Sequence, residues 1–581
     1  MAGYFPALFF IRRIIKVKGA DRMVDLLITN ARVFNSFLKV FEEKNITIKE
    51  GKFYYISSED LTYLNPKKVL DANGKHLIPG FIDIHMHIES SMLPPASFSP
   101  LALSHGVTTI VADSHEIANV FGMEGILAFM EQETELDIYY AIPSSVPSTT
   151  PNQETTGGII GLEEVKQLLN HPRVVALGEA MNFKGITSEP ESLIRKILLE
   201  TQKQKPMLPL EGHIPRVSGE DLAKFLFVGL TADHTHQSPE SILEKISQGI
   251  FLEFQKKSIT PENMSVINKY KLYEHMAIIT DDIMADDFLL GHLNANVKAA
   301  ISAGLPVEEA IYTATYTPAR RIGFQDRGAI MTGYQADFIL LDDLEEVVIH
   351  SVYKNGCLVS PNPPSFTFPP RFYHSVTCQP LTLEDLKFEI NGDAICNVIK
   401  VEEVGTFTKH MQRIIKMKNG YLDWENSGLA LIMVMERYGK NGQIGYGLVE
   451  NALSKKGAIA TTWAHDHHNL MVMGTSASDM VIAQNALLAT QGGYLVSQDQ
   501  TIKASCPLPI GGILSDLPAN QVGEQLLRVR EAMQDLGYKN TNEIMSFSTL
   551  SLPVSPKIKI TDFGMMDVHT HAHIPLVERI I

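Results

Sequence analysis

At 581 residues the chain exceeds the size at which a single hydrophobic core keeps growing, so two or three domains are expected. Its 45% hydrophobic and 20% charged residues are those of an ordinary globular protein and exclude a disordered chain. A net charge of −16, spread along the sequence, argues against nucleic acid as the main ligand.

In chain order, the apolar stretch Phe5 to Ile11 comes first and is followed by Arg12, Arg13, Lys16 and Lys18. A secretory signal has the opposite order, so this reads as a short extension ahead of a domain beginning near Met23. No apolar run approaches the ~20 residues needed to span a bilayer, and no membrane partner is expected. Residues 24–72 read as short strands, with Asn30, Glu50-Gly51 and Asn73-Gly74 as turns. From about residue 79 the pattern changes to apolar strands (106–113, 136–144, 174–180, 206–213, 275–282) alternating with helical stretches (117–132, 162–170, 190–203, 218–229). Such alternation over about 250 residues predicts an α/β fold with a (β/α)8 TIM-like barrel. Strands return at 328–359, so a small composite β-domain is expected from residues 24–78 and 326–360, flanking a barrel over 79–325. The Pro-rich stretch 360–370 reads as a linker, and 371–581 as an additional C-terminal α+β domain. The four cysteines (Cys357, Cys378, Cys396, Cys506) form no CxxC pair, which disfavours a disulfide framework or zinc knuckle and suits a reducing, cytoplasmic location.

Chemistry enters at PGFIDIHMH. Alternate residues of a strand share a face, so His85 and His87 point the same way, and at the C-terminal end of a barrel strand they can share one cation. Ligand-type residues then close later strands: Glu179 in VVALGEA, His213 in PMLPLEGH, His234 after GLTAD and Asp281 after HMAIIT. One such residue alone is most simply a hydrogen-bonded group at a barrel rim; six in strand order are not explained that way. Four imidazoles and two carboxylates can hold two divalent ions with a carboxylate shared between them, and N/O ligation suits zinc, iron or manganese.

The order HxH, carboxylate, His, His, Asp resembles the amidohydrolase superfamily. Within it, PGFIDIHMHIESSM, VADSHEIANVFGMEGI, PSSVPST, GEAMNFKGI, EGHIPRVSG, GHLNANVKAAISAGLPVEEAIYTATYTPAR, GAIATTWAHDHHNLMVMGTSASDM and PLPIGGILSD resemble the adenine deaminase family over about residues 24–560. The resemblance implies hydrolytic deamination of a small-molecule purine, adenine, to hypoxanthine and ammonia, and a C-terminal domain of the adenine deaminase type. It also implies two metal ions, with manganese ahead of iron or zinc, and a homo-oligomer. Glu179 would bridge the ions, and His85, His87, His213, His234 and Asp281 would complete the ligands. A metal-activated water would attack C6 while Asp281 moves its proton toward ammonia. Asp282, His115 and Glu116 are candidates for acid–base work or substrate contact, with ligand support or helix capping as the competing role for all three.

Some segments depart from the family or stand outside its chemistry. Thr235 stands where the family has a glutamate after the histidine, with His236 as a conceivable substitute; Gln255 stands where an arginine is expected, and IMADD follows Asp282. These changes leave room for a modified aminopurine or a cyclic amide as substrate, or for an inactive metal-binding homologue. His465, Asp466, His467 and His468 in AHDHHN either join the mouth of the active site or bond locally. The C-terminal His569, His571 and His573 read as a surface or packing segment with weak adventitious metal affinity.

Overall fold

Strand and helix follow the hydrophobic periods closely, and the computed structural model describes them for residues 23–581. The N-terminal extension read at Phe5 to Lys18 lies outside the described residues. Eight short parallel strands carry the inward-facing residues: Phe81–Met86, Val107–Asp113, Asp137–Ile142, Val174–Ala180, Leu210–Gly212, Ala232–Asp233, Phe251–Phe254 and Met276–Ile278. The first five pair consecutively in one sheet and the last three in another. Thr231 N–H donates to the Leu210 carbonyl at 2.9 Å, joining the fifth strand to the sixth, and a parallel bridge between Met86 and Asp281 joins the end to the beginning. The result is a TIM-like barrel, filled by Ile82, Ile84, Val111, Ala141, Ala176, Ala277 and Ile279.

Two expectations are sharpened by backbone chemistry. The strand read over 206–213 shrinks to Leu210–Gly212, because Pro206 and Pro209 carry no N–H for a ladder. The helix read over 117–132 is two helices, His115–Phe121 and Met123–Met130, broken at Gly122 with φ 60°. A neighbouring loop passes so close there that a Cβ on Gly158 would stand 2.0 Å from the Gly122 nitrogen.

Strands Leu26–Asn35, Val40–Lys49, Lys52–Ser57, Lys68–Asp71 and His76–Pro79 share one eight-stranded sheet with Phe338–Asp343, Val348–Lys354 and Cys357–Leu358. Glu50-Gly51 and Asn73-Gly74 turn with positive φ throughout, as their residue types allow. The Pro-rich stretch is no free linker: Phe368 is buried, its ring 6.4 Å from Phe129 and 5.3 Å from Phe372, which stacks on Phe121 at 3.9 Å. Aromatic residues between the prolines pin it to the barrel helices.

Residues beyond 371 build a nine-stranded sheet and two long helices, Ala477–Thr490 and Ala519–Asp535. The second helix buries Val522, Leu526, Val529 and Met533, a 4-3-4 spacing that forms one stripe. That stripe belongs to the same buried cluster as barrel residues Phe98 and Phe288, so apolar packing runs unbroken from barrel to C-terminal part. All four cysteines are free. Among the described residues no helix is long and apolar enough to cross a membrane.

Candidate metal centre

The six residues read from the strand ends converge at one end of the barrel. Strand alternation puts His85 and His87 on one face, as expected, and the chain after the eighth strand returns beside them, Asp281 N–H donating to the His85 carbonyl at 3.1 Å. Asp281 takes φ 61°, a left-handed conformation that aspartate tolerates better than most residues. Its Oδ1 stands 3.4 Å from His87 Nε2 and 3.7 Å from His85 Nε2. Glu179 divides its two oxygens between two groups: Oε1 is 3.5 Å from His87 Nε2, whereas Oε2 is 2.7 Å from His213 Nδ1 and 3.2 Å from His234 Nε2. All six are buried except His213, whose side chain is 29% exposed.

The surroundings fix these rings. His87 Nδ1 donates to the Asp113 carbonyl at 2.9 Å, which leaves Nε2 facing the cluster, and the Asp113 carboxylate accepts Glu179 N–H at 2.9 Å. Asp233 gathers five donors: Ile214 N–H, Thr235 N–H and Oγ1, Gln237 Nε2 at 2.6 Å and Lys245 Nζ at 2.6 Å. It thereby ties together the chain just past His213 and just before and after His234. Thr235 is therefore spent on this network and buried in it, and His236 is exposed to solvent, so it does not replace the missing glutamate. Gln255 Nε2 donates to the His234 carbonyl at 2.9 Å, a positioning role. The IMADD segment docks the C-terminal helix instead of lining the site, with Asp286 2.6 Å from Arg530 Nε.

At each member of the cluster burial competes with the charges of its neighbours. Burial drives the His85 pKa well below normal, helped by the charge of His234. At His87 burial works the same way but is outweighed by Asp281, Asp282 and Glu179, which hold it well above normal. Burial alone would raise Glu179 and Asp281, yet the neighbouring imidazoles, His234 first, hold both well below the usual carboxylate range, while His234 itself is pushed up to about 9. Two features fit a metal: His85 Nε2 is buried without a hydrogen-bond partner, and His213 Nδ1 faces His234 Nε2 at 3.1 Å, two ring nitrogens aimed at each other. Donor atoms about 3 Å apart are what ligand bonds of about 2.0–2.2 Å require. His85–His87–Glu179, Glu179–His213–His234 and His87–Asp281–Asp282 each gather three ligand atoms within 4.8 Å.

His115 and Glu116 open the helix after the second strand and sit beside this cluster. His115 Nδ1 is 3.8 Å from Glu179 Oε1 and its Nε2 3.4 Å from Glu116 Oε1. The helix start is capped neither by Ser114 nor by these two residues but by Glu89, whose Oε1 accepts Ile117 N–H at 3.1 Å. The AHDHHN segment reaches over from the C-terminal part: His465 Nδ1 lies 2.5 Å from Glu116 Oε1, and His468 Nε2 contacts Glu116 Oε2. The segment therefore sits at the barrel mouth. Asp282 accepts from Ser90 Oγ at 2.6 Å. His569 and His573 are exposed on a terminal hairpin with His571 half-buried, away from the centre.

Glu253 is a residue the sequence reading passed over. It is buried on the seventh strand, 3.7 Å from His85 Nδ1, and burial with the nearby Glu211 raises its pKa well above normal. The signal was present in FLEF, where a glutamate alternates with apolar residues that face outward.

Comparison with known proteins adds an independent line. Residues 76–359 match the amidohydrolase family and residues 405–572 the adenine deaminase C-terminal domain. Adenine deaminase 2 of Oenococcus oeni is 50% identical over 558 residues, covering 95% of this chain and 98% of that protein. The adenine deaminase of Lactobacillus delbrueckii subsp. bulgaricus is 49% identical over 562 residues, covering 96% and 99%. That of Clostridium perfringens is 49% identical over 558 residues, covering 94% and 98%.

Proposed function

This chain belongs to the adenine deaminase family, and on that premise we propose that it hydrolyses adenine to hypoxanthine and ammonia. The observation that carries the reading is Glu179, whose two oxygens face two separate ligand groups. His85, His87 and Asp281 would hold one divalent ion, His213 and His234 a second, and Glu179 would be shared. Manganese is the first choice of metal, with iron or zinc next. When bound, such ions lower the pKa of a water toward neutrality and so supply a nucleophile at physiological pH.

The chain's own groups do the rest. Asp281, at the edge of both the ligand cluster and the mouth, would take a proton from the attacking water and pass it to the departing amine. Asp282, held by Ser90, would face the purine ring. His115 would support Glu179 and relay its position to Glu116. The burial of Asp281, Glu179, His115 and Glu116 excludes bulk water and strengthens each electrostatic contact. Thr235 and Gln255 act on the protein scaffold, so neither argues for a different substrate. The units this reading assigns are a barrel over 79–325, a β-domain of 24–78 with 326–360 and a C-terminal domain over 371–581. Cytoplasmic, self-associating protein completes it.

The test is direct. Purified protein loaded with manganese should release one ammonia and one hypoxanthine per adenine. Protein carrying two ions per chain that releases no ammonia from adenine with manganese, iron or zinc would overturn the reading.

A further inference from the structure

The AHDHHN segment brings a histidine of the C-terminal part to the mouth of the barrel, and its chemistry is not accounted for by the ligand cluster. Its backbone is fixed: His465 N–H donates to Ser548 Oγ at 3.1 Å and its carbonyl accepts Ser551 Oγ at 3.0 Å. The edge of Trp463 packs on the ring with centroids 4.5 Å apart, and Trp463 Nε1 donates to the carbonyl of Glu89 on the barrel. Glu116 takes the Nδ1 side of the ring at 2.5 Å. Nε2 is left buried with no hydrogen-bond partner, in a side chain only 5% exposed.

A buried ring nitrogen without a partner is costly, about 1–3 kcal/mol, and calls for a bond from water, an ion or a ligand; His467 Nε2 and His468 Nδ1 are unpartnered as well, but of the three rings only His465 combines this with Glu116 at Nδ1. Glu116 also stands 3.4 Å from His115 Nε2, and His115 Nδ1 is 3.8 Å from Glu179 Oε1, so the His465 ring is tied to the ligand cluster through two side chains; Asp282, the residue after Asp281, acts on His465 by its charge. The pairing of a carboxylate at Nδ1 with a free Nε2 is the arrangement that fixes a histidine for a directed contact.

We propose that His465 is a substrate-contacting residue contributed by the C-terminal part, its Nε2 hydrogen-bonding a ring nitrogen of the purine, with Glu116 as its positioning residue. The inference rests on the adenine deaminase reading and extends it: the barrel alone does not hold a complete site. A purine bound between His465 and Asp282 would be gripped by both parts of the chain, which explains why the C-terminal part packs so closely on the barrel mouth.

The substitutions His465→Asn and His465→Gln separate the two ring nitrogens. Asparagine retains an amide near Nδ1 and loses Nε2; glutamine reaches the Nε2 position. With metal content and Tm measured for each, His465→Asn should weaken hypoxanthine binding at least tenfold and lower kcat/KM for adenine at least a hundredfold. His465→Gln should recover a tenfold part of each. His467→Asn perturbs the same segment without touching Glu116 and should bind hypoxanthine as the parent does. A metal-loaded His465→Asn protein that binds hypoxanthine within twofold of the parent overturns the proposal. Should His465→Asn fail to fold, tryptophan emission of the unaltered enzyme decides, because Trp463 borders the ring: hypoxanthine should change it, and no change at saturation overturns the proposal. An unaltered enzyme that neither deaminates adenine nor binds hypoxanthine would fail the functional reading itself, which is a separate outcome.

Discussion

Removing the ammonium group from the Asp233 network should unsettle the centre from a distance. Lys245 is 1% exposed and its Nζ lies 2.6 Å from Asp233 Oδ2, with a second bond to the Ile214 carbonyl at 3.2 Å. Asp233 is fully buried, and burial alone would raise its pKa; Lys245, first among its partners, keeps it below normal. Lys245→Met leaves that carboxylate without its counter-charge, a loss of roughly 3–5 kcal/mol. At about 2–4 °C per kcal/mol for a unit of this size, the barrel should melt on the order of 10 °C earlier. Because Asp233 also fixes the residues after His213 and around His234, the ion they are proposed to hold should be bound roughly 10–100-fold more weakly. Thermal melts with metal analysis read both effects. Asp233→Asn combined with Lys245→Met removes both charges and should recover part of the loss, since an uncompensated charge is worse than none. A Lys245→Met protein melting within 2 °C of the parent, or a double variant no better than the single one, would refute this account of the network.

Two other perturbations follow from the same reasoning. Gln255→Leu removes the bond to the His234 carbonyl and should lower stability by about 1 kcal/mol and metal affinity by roughly tenfold, measured by competition with a chelator. Lys559 is fully buried, and burial pushes its pKa down to about 7. Between that value and the ordinary lysine value the unfolded chain binds more protons, so this residue adds stability as pH rises and withdraws it as pH falls toward 7. Lys559→Met should therefore raise Tm most at pH 6.5 and much less at pH 9.5; an equal gain at both would show that the amine does not titrate on unfolding.

Much of the centre was legible because strand periodicity is strict. His85 and His87 share a face by position alone, and Glu179, His213, His234 and Asp281 each close an apolar run at a strand end. What stayed hidden depends on contacts far apart in sequence. Asp113 and Asp233 look like ordinary strand-end aspartates until their donors are seen, and Glu253 was masked by the apolar residues beside it. The pairing of Glu116 with His465 and His468 spans about 350 residues and no local pattern announces it. Boundaries failed where backbone chemistry overrode periodicity, at Gly122 between two helices and at the prolines of the fifth strand. The Pro-rich stretch misled for a related reason: its phenylalanines, not its prolines, decide where it lies.

The central claim is a hydrolytic centre of two ions joined by Glu179. Glu179→Gln keeps the size of the side chain and removes the charge that faces both ligand groups. Metal content per chain, measured alongside ammonia release from adenine on the parent and this variant, tests that claim most directly. The account predicts two ions and steady turnover in the parent, with at most one ion and at least a thousandfold slower release in Glu179→Gln. A variant that keeps both ions and deaminates adenine at the parent's rate would contradict it.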